Sequence, residues 1–140
     1  MTWMKSAYQA AYGPKDINAD AVTTGKYSKN IGGITGRTEA TGLGVFYATK
    51  QVLDNALVCK NLGVERGLKG KTFIVQGFGN VGYWASKFLV DEGAKLIGVS
   101  EFDGSIYEPR GIDPDALLEH KKKKFGVNGF KYASEYFNDE

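Results

Sequence analysis

Three glycines at fixed spacing mark the segment of this sequence that is best suited to chemistry, the run Gly77-Phe78-Gly79-Asn80-Val81-Gly82. The run has the pattern G-x-G-x-x-G, and it stands between a short apolar segment and residues with helical spacing. Gly77 would permit a tight turn, Gly79 would let the backbone approach a diphosphate, and Gly82 would let a helix pack closely on a strand. The diphosphate would bind the unpaired N–H groups at the helix N-terminus, where the helix dipole favours negative charge.

An acidic residue further along the chain strengthens this interpretation. Glu101 directly follows a second apolar segment, where a carboxylate can accept hydrogen bonds from the ribose hydroxyls of a bound adenosine. A negative charge there favours NAD over NADP, because the 2′-phosphate of NADP would meet like charge. NADP remains possible. Because glycines at this spacing also occur in ordinary turns, a purely structural turn is the alternative to a nucleotide site.

The segments on either side of the glycines predict the elements that position them. Residues 72–76 are apolar and rich in β-branched side chains, as expected of a strand buried on both faces. Apolar residues with helical spacing follow the turn up to Gly93, and residues 96–99 form a second apolar segment. The order strand, turn, helix, strand is typical of a right-handed parallel crossover. We therefore predict an α/β fold, an incomplete Rossmann-type domain with a doubly wound parallel sheet, preceded by a long helix.

Outside this unit the patterns predict helices joined by irregular chain. We expect an amphipathic helix over residues 2–12, irregular chain over 13–36, a long helix from the N-cap Thr38 to Gly63, turns over 102–111, and a helix from Pro114 to about Lys123. Two strands are convincing, whereas a dinucleotide-binding domain needs about six. The sheet should therefore have an open edge that other protein covers.

Composition excludes several classes of protein. The 140 residues include 42% hydrophobic residues, enough for a packed core, and a net charge of +2 gives no strong attraction to nucleic acid. No apolar run approaches the roughly 20 residues that cross a bilayer, so we expect no membrane insertion. The single Cys59 and single His120 predict neither an internal disulfide nor a His/Cys metal site. No targeting segment is visible, and an intracellular location in cytoplasm or mitochondrial matrix is expected.

Several blocks in one order resemble glutamate dehydrogenase, a member of the Glu/Leu/Phe/Val dehydrogenase family. The blocks are Thr24-Gly25-Lys26, Gly32-Gly33, the run from Gly36 to Gly42, the run from Lys71 to Gly82, and Asp103-Gly104-Ser105-Ile106. The resemblance implies oxidative deamination of L-glutamate to 2-oxoglutarate and ammonia with NAD(P)⁺, in a homo-oligomer or as a subunit of a larger assembly. It also implies that Arg37 and Thr41 lie near the nicotinamide. From the residues alone, Thr41 could bond a local carbonyl and Arg37 a surface carboxylate.

The resemblance further implies how the chain divides. Residues 1–37 would belong to the junction with a substrate domain, and residues 38–140 would be part of the dinucleotide-binding domain. The family's catalytic lysine and aspartate lie N-terminal to the part that aligns, so no catalytic residue is assigned and the isolated chain should be inactive. Tyr27 stands where many members have proline, which affects the geometry of that loop. The alternative is a truncated pseudoenzyme serving as a structural or interaction subunit.

A basic run near the C-terminus has two interpretations. His120 and the four lysines of residues 121–124 could bind an anion. The simpler interpretation is the solvated C-terminal end of a helix, where cations complement the helix dipole. Tyr132, Tyr136 and Phe137 follow, and we interpret these aromatic residues as packing residues.

Overall fold

A computed structural model describes residues 2–23 and 33–138, which form two compact units, Met1–Arg37 and Thr38–Glu140. The first unit contains helix α1 (Thr2–Tyr12), as predicted, and a 3-10 helix (Ile17–Asp20) in a stretch predicted to be irregular. The side chain of Asp16 accepts a hydrogen bond from the Asn18 N–H at 2.9 Å and so caps the short helix. The Thr24-Gly25-Lys26 block, Tyr27 and Gly32 lie outside the described residues.

The remaining elements are four helices and four strands, interspersed along the described part of the chain. Their bounds are α2 (Arg37–Asp54), α3 (Ala56–Leu62), β1 (Thr72–Gln76), α4 (Asn80–Asp91), β2 (Lys95–Glu101), β3 (Gly104–Tyr107), α5 (Pro114–Lys124) and β4 (Glu135–Phe137). The four strands form one sheet in the order β1-β2-β3-β4. β1 and β2 are parallel, as the glycine-rich crossover requires, whereas β3 and β4 are antiparallel to their neighbours. The predicted α/β class is confirmed, with a mixed sheet.

Two strands were absent from the sequence prediction. The segment 102–111, predicted as turns, contains β3, which pairs with β2 immediately after a turn at Asp103-Gly104. β4 has only three residues. Directly before it, the Ser134 N–H donates a hydrogen bond to the Tyr107 carbonyl oxygen at 2.9 Å, which holds the start of β4 beside β3. Strands of three and four residues are too short to show alternation, so their pairing is determined by tertiary contacts.

The long helix predicted from Thr38 to Gly63 is two helices. Thr38 is not an N-cap, because α2 already begins at Arg37. The helix is interrupted at Asn55, whose side-chain oxygen accepts hydrogen bonds from the N–H groups of Leu57 (3.0 Å) and Val58 (3.2 Å). Asn55 therefore caps α3. The predicted end is confirmed, since Gly63 closes α3 with a left-handed φ of +67°.

The hydrophobic core anchors the glycine-rich turn. Phe78, from within the turn, is buried in a cluster with Leu96 and Val99 of β2 and Leu117 of α5. A second cluster joins Phe46 of α2 to Leu89 of α4 and to Leu68 and Ala94, which precede β1 and β2 in the chain. β1 was expected to be buried on both faces, but it is an edge strand of this sheet, and Ile74 is 66% exposed. Across residues 2–23 and 33–138, no helix is long and apolar enough to span a membrane.

Candidate dinucleotide site

Two of the three glycines in the turn are required by the fold itself. Gly77 has a φ of +82°, in the left-handed region that residues other than glycine rarely adopt. Its N–H donates a hydrogen bond to the Ser100 carbonyl oxygen of β2 at 2.8 Å. A Cβ at Gly82 would lie 2.1 Å from the Gly77 carbonyl oxygen and 3.1 Å from Val75 Cγ1. Gly77 therefore permits the turn, and Gly82 permits α4 to pack against the end of β1.

The third glycine is not required by the fold. Gly79 has φ −85° and ψ −157°, an extended conformation that any residue adopts. A Cβ built on Gly79 would meet nothing within 4 Å. Neither backbone strain nor crowding by neighbouring atoms explains a glycine here, so the protein leaves open space directly in front of the backbone.

The start of α4 carries the amides that are suited to an anion. Gly79 is the N-cap of α4 and provides no side-chain hydrogen bond to the first turn of the helix. The first N–H groups of a helix have no partner within the helix, and the helix dipole adds positive potential there. The sequence predicted that the amides from Gly77 to Gly82 would contact a diphosphate. The N–H groups of Gly77 and Phe78 already bond to protein oxygens, which leaves the amides from Gly79 onward as candidates.

Glu101, the last residue of β2, faces the same turn. Its side chain is 11% exposed, and Oε1 accepts a hydrogen bond from the Phe78 N–H at 2.7 Å and from the Lys121 ammonium group. Burial raises the pKa of the Glu101 carboxyl, but the hydrogen bonds from Lys121 and Phe78 lower it more, so the net pKa lies below its usual value. The carboxylate is therefore ionised at neutral pH.

Lys121 lies at the candidate site, which the preferred interpretation of the sequence did not predict. The run of residues 121–124 was interpreted as a solvated helix end, but the Lys121 side chain is only 17% exposed. Its Nζ pairs with Glu101 and donates to the Phe78 carbonyl oxygen at 2.9 Å. One signal was available in the sequence, because Lys121 follows the buried Leu117 by four residues and therefore lies on the same face of α5.

Helix α2 lies against α4 beside the turn. A Cβ at Gly42 would lie 2.4 Å from Trp84 Cβ and 2.8 Å from the Ala85 nitrogen, so the two backbones approach closely. The Asn80 side-chain amide donates to the Thr38 carbonyl at 2.6 Å. The side chain of Asn80 is thus used to hold α2, which leaves its backbone N–H as the group suited to a ligand.

The two residues predicted near the nicotinamide are both on α2. Arg37 is exposed, begins the helix and belongs to the first compact unit. Thr41 is exposed and precedes Gly42, which lies against α4. The structure thus brings the glycine-rich turn, Glu101 and Lys121 together, while the nicotinamide roles of Arg37 and Thr41 stay predictions.

A cleft of about 540 Å³ opens beside the turn. Gly79 and Asn80 of the turn and Lys121, Lys122 and Phe125 at the end of α5 are among its lining residues. In the described part of the chain, no group of three or more His, Cys, Asp or Glu side chains is arranged to hold a metal ion. The cleft combines open helix amides with basic side chains, and Lys121, which lines it, pairs with the Glu101 carboxylate beside it. These groups together suit a ligand with both phosphate and hydroxyl groups.

Comparison with known proteins gives a consistent result. The family model for Glutamate/Leucine/Phenylalanine/Valine dehydrogenase matches residues 32–140. Mitochondrial glutamate dehydrogenase of Dictyostelium discoideum is 47% identical over 86% of this chain and 24% of its own length. NADP-specific glutamate dehydrogenase A1 of Halobacterium salinarum is 34% identical over 100% of this chain and 31% of its own length.

A solved structure matches the fold as well. Hetero-hexameric glutamate dehydrogenase from Thermus thermophilus, in its Leu-bound form, superposes with a TM-score of 0.68 and 27% identity, covering 94% of this chain and 29% of that one. The chain thus spans between 24% and 31% of the length of these proteins. The sequence match over residues 32–140 and the shared fold lead to one conclusion: the chain belongs to the Glutamate/Leucine/Phenylalanine/Valine dehydrogenase family.

Proposed function

We propose that this chain is the dinucleotide-binding portion of a glutamate dehydrogenase-like oxidoreductase. The observation that carries the proposal is Gly79, a glycine that neither conformation nor packing requires. A diphosphate lying against the backbone does require it, because a Cβ would occupy the space of the phosphate oxygens. The same observation favours a ligand site over a purely structural turn, and an enzyme lineage over the pseudoenzyme alternative.

Each part of the coenzyme has a counterpart among these residues. The amides from Gly79 to Gly82 would hold the diphosphate, and the Glu101 carboxylate would accept hydrogen bonds from the adenosine ribose. Glu101 disfavours a 2′-phosphate, whereas the adjacent Lys121 ammonium group partly offsets that repulsion. We therefore propose NAD as the preferred coenzyme, with NADP bound more weakly, although one relative is named as NADP-specific.

The reaction that we propose for the whole enzyme is oxidation of L-glutamate to 2-oxoglutarate and ammonia. When bound, the nicotinamide would accept the hydride. This chain would bind and orient the coenzyme, with Arg37 and Thr41 at its nicotinamide end. Residues 1–37 would connect to the substrate domain and residues 38–140 would form part of the coenzyme domain. We propose that the catalytic lysine and aspartate belong to other parts of the enzyme. We also propose that the enzyme is located in mitochondria or cytoplasm.

A titration with reduced coenzyme tests the binding proposal. We expect NADH fluorescence to change saturably when the wild-type chain is added. Glu101→Gln should lower the affinity for NADH by about tenfold, because one charged hydrogen-bond acceptor is lost. Lys121→Met should lower the affinity for NADPH more than the affinity for NADH. Glu65→Gln, which changes an exposed glutamate that does not line the cleft, is the matched control and should bind NADH like wild type.

Two outcomes would contradict the proposal. If a folded wild-type chain does not bind NADH, the proposed dinucleotide site is refuted. Glutamate oxidation by the isolated chain would show that the catalytic groups lie within it.

The open side of the sheet supports a second proposal, which concerns association with other protein. Ile74 on the edge strand β1 is 66% exposed, and a mainly apolar recess of about 400 Å³ that includes Ile74, Ile106 and Phe137 lies on the sheet. We propose that an oligomer or other parts of the enzyme cover this surface, since long apolar edges promote association. A hexameric relative is consistent with this proposal.

Sedimentation of the purified chain tests this surface. We expect the wild-type chain to associate, and Ile74→Lys to shift it toward monomer because a charge on the edge opposes pairing. Leu57→Lys changes an equally exposed residue, on α3, and should leave association unchanged. A monodisperse wild-type monomer would contradict the proposal.

A further inference from the structure

Phe125, directly after α5, has an unusual conformation for its residue type. Its φ is +64°, and it is the one non-glycine residue with a positive φ within residues 2–23 and 33–138. Its N–H donates to the Lys121 carbonyl at 2.8 Å, which closes the helix. Glycine or asparagine usually occupies this position, because a bulky side chain is strained in the left-handed region.

The fold offers no compensation for this strain. The Phe125 side chain is 80% exposed, so it contributes little to the core. A glycine does follow, but Gly126 has a separate purpose, since a Cβ there would lie 1.9 Å from Asp103 Oδ2. The Asp103 carboxylate accepts hydrogen bonds from the Val127 and Asn128 N–H groups and holds that loop. An exposed aromatic ring in a strained conformation is the kind of local exception that marks a functional position.

The position of Phe125 indicates which group it meets. Phe125 directly follows the end of α5, and both Phe125 and Lys121 line the cleft beside Gly79 and Asn80. Lys121 pairs with Glu101, where the adenosine ribose is proposed to bind. The base is attached directly to that ribose, so it lies within reach of an aromatic ring that lines the same cleft as Lys121.

We propose that the Phe125 ring is the platform on which the adenine of the dinucleotide stacks. This inference rests on the proposed function, and it adds a base-recognition residue to the diphosphate and ribose contacts. Stacking on an aromatic ring suits adenine, which presents a flat apolar face. The neighbouring Lys121 and Lys122 contribute positive charge, which complements the phosphates of the same ligand.

Replacement by glycine separates the binding role from any structural role. Phe125→Gly relieves the backbone strain, so its melting temperature should equal or exceed that of wild type. Its affinity for AMP and ADP-ribose should fall by roughly 5- to 150-fold, the range measured for losing one aromatic stack. Phe125→Tyr keeps a ring and should bind AMP as wild type does. Nicotinamide mononucleotide, which lacks adenine, should bind equally to all three proteins.

The outcomes distinguish this inference from the proposed function. If wild type binds AMP and ADP-ribose and Phe125→Gly binds them equally well, adenine does not stack on Phe125 and only this inference fails. If Phe125→Gly weakens nicotinamide mononucleotide as much as AMP, the ring does not recognise adenine, and the inference fails in the same way. If folded wild type binds none of NADH, ADP-ribose and AMP, the dinucleotide site itself is refuted.

Discussion

Replacement of Gly82 with alanine is expected to abolish dinucleotide binding and to lower the free energy of unfolding by about 3 kcal/mol. The added Cβ would lie 2.1 Å from the Gly77 carbonyl oxygen, and neither atom can rotate aside, because the position of each is fixed by the backbone that carries it. Relief requires α4 to move away from β1, which displaces the helix amides from the turn. Urea unfolding followed by circular dichroism measures the loss of stability, and NADH fluorescence measures the loss of binding.

Gly79→Ala is the matched control within the same turn. Because Gly79 is extended and a Cβ there meets nothing within 4 Å, stability should stay within about 0.5 kcal/mol of wild type. Affinity for NADH should nevertheless fall at least tenfold, since the new methyl group occupies the place of the diphosphate. Full NADH affinity in Gly79→Ala, or wild-type stability in Gly82→Ala, would contradict these separate roles.

Two glycines of α2 are expected to respond in opposite directions to the same change. Gly42→Ala should destabilise the protein by about 1–3 kcal/mol, because its Cβ would lie 2.4 Å from Trp84 Cβ and 2.8 Å from the Ala85 nitrogen. Gly44→Ala should stabilise it by about 0.5–1 kcal/mol, because that helical position has open space and alanine is the better helix former. Thermal unfolding of both variants under one condition provides the comparison.

The Gly42 variant should also affect binding. Pushing α2 away from α4 strains the hydrogen bond from Asn80 to the Thr38 carbonyl, which joins α2 to the start of the turn. We therefore expect weaker NADH binding by Gly42→Ala and unchanged binding by Gly44→Ala. Destabilisation of similar size in both variants would show that α2 does not pack against α4 through Gly42.

Local signals were sufficient to predict the glycine-rich turn of the candidate site and the helix that follows it. The turn from Gly77 to Gly82 and the helix after it depend on residues close in sequence, because glycine conformation and helical spacing act over short distances. Glu101 was found because it ends the strand after that helix, a position fixed by the order of elements. What the sequence did not show is that Glu101 is already bonded to Phe78 and Lys121.

The missed features depend on contacts between distant segments. Lys121 lies in a run of four lysines, and only its spacing of four residues from Leu117 distinguishes it from its neighbours before α5 is placed against the turn. β3 and β4 are too short to show a pattern and gain their hydrogen bonds from neighbouring strands. The break at Asn55 was not predicted because Phe46, Leu53 and Leu57 keep helical spacing across it. Asn55 is nevertheless a good capping residue.

Backbone amide chemical shifts of the ¹⁵N-labelled chain during titration with ADP-ribose test directly whether the start of α4 binds a diphosphate. We expect saturable shifts that are largest at Gly79, Asn80 and Val81, because those N–H groups would donate to the phosphate oxygens. Saturable shifts located elsewhere in a folded chain, with these three amides unchanged, would contradict the assignment.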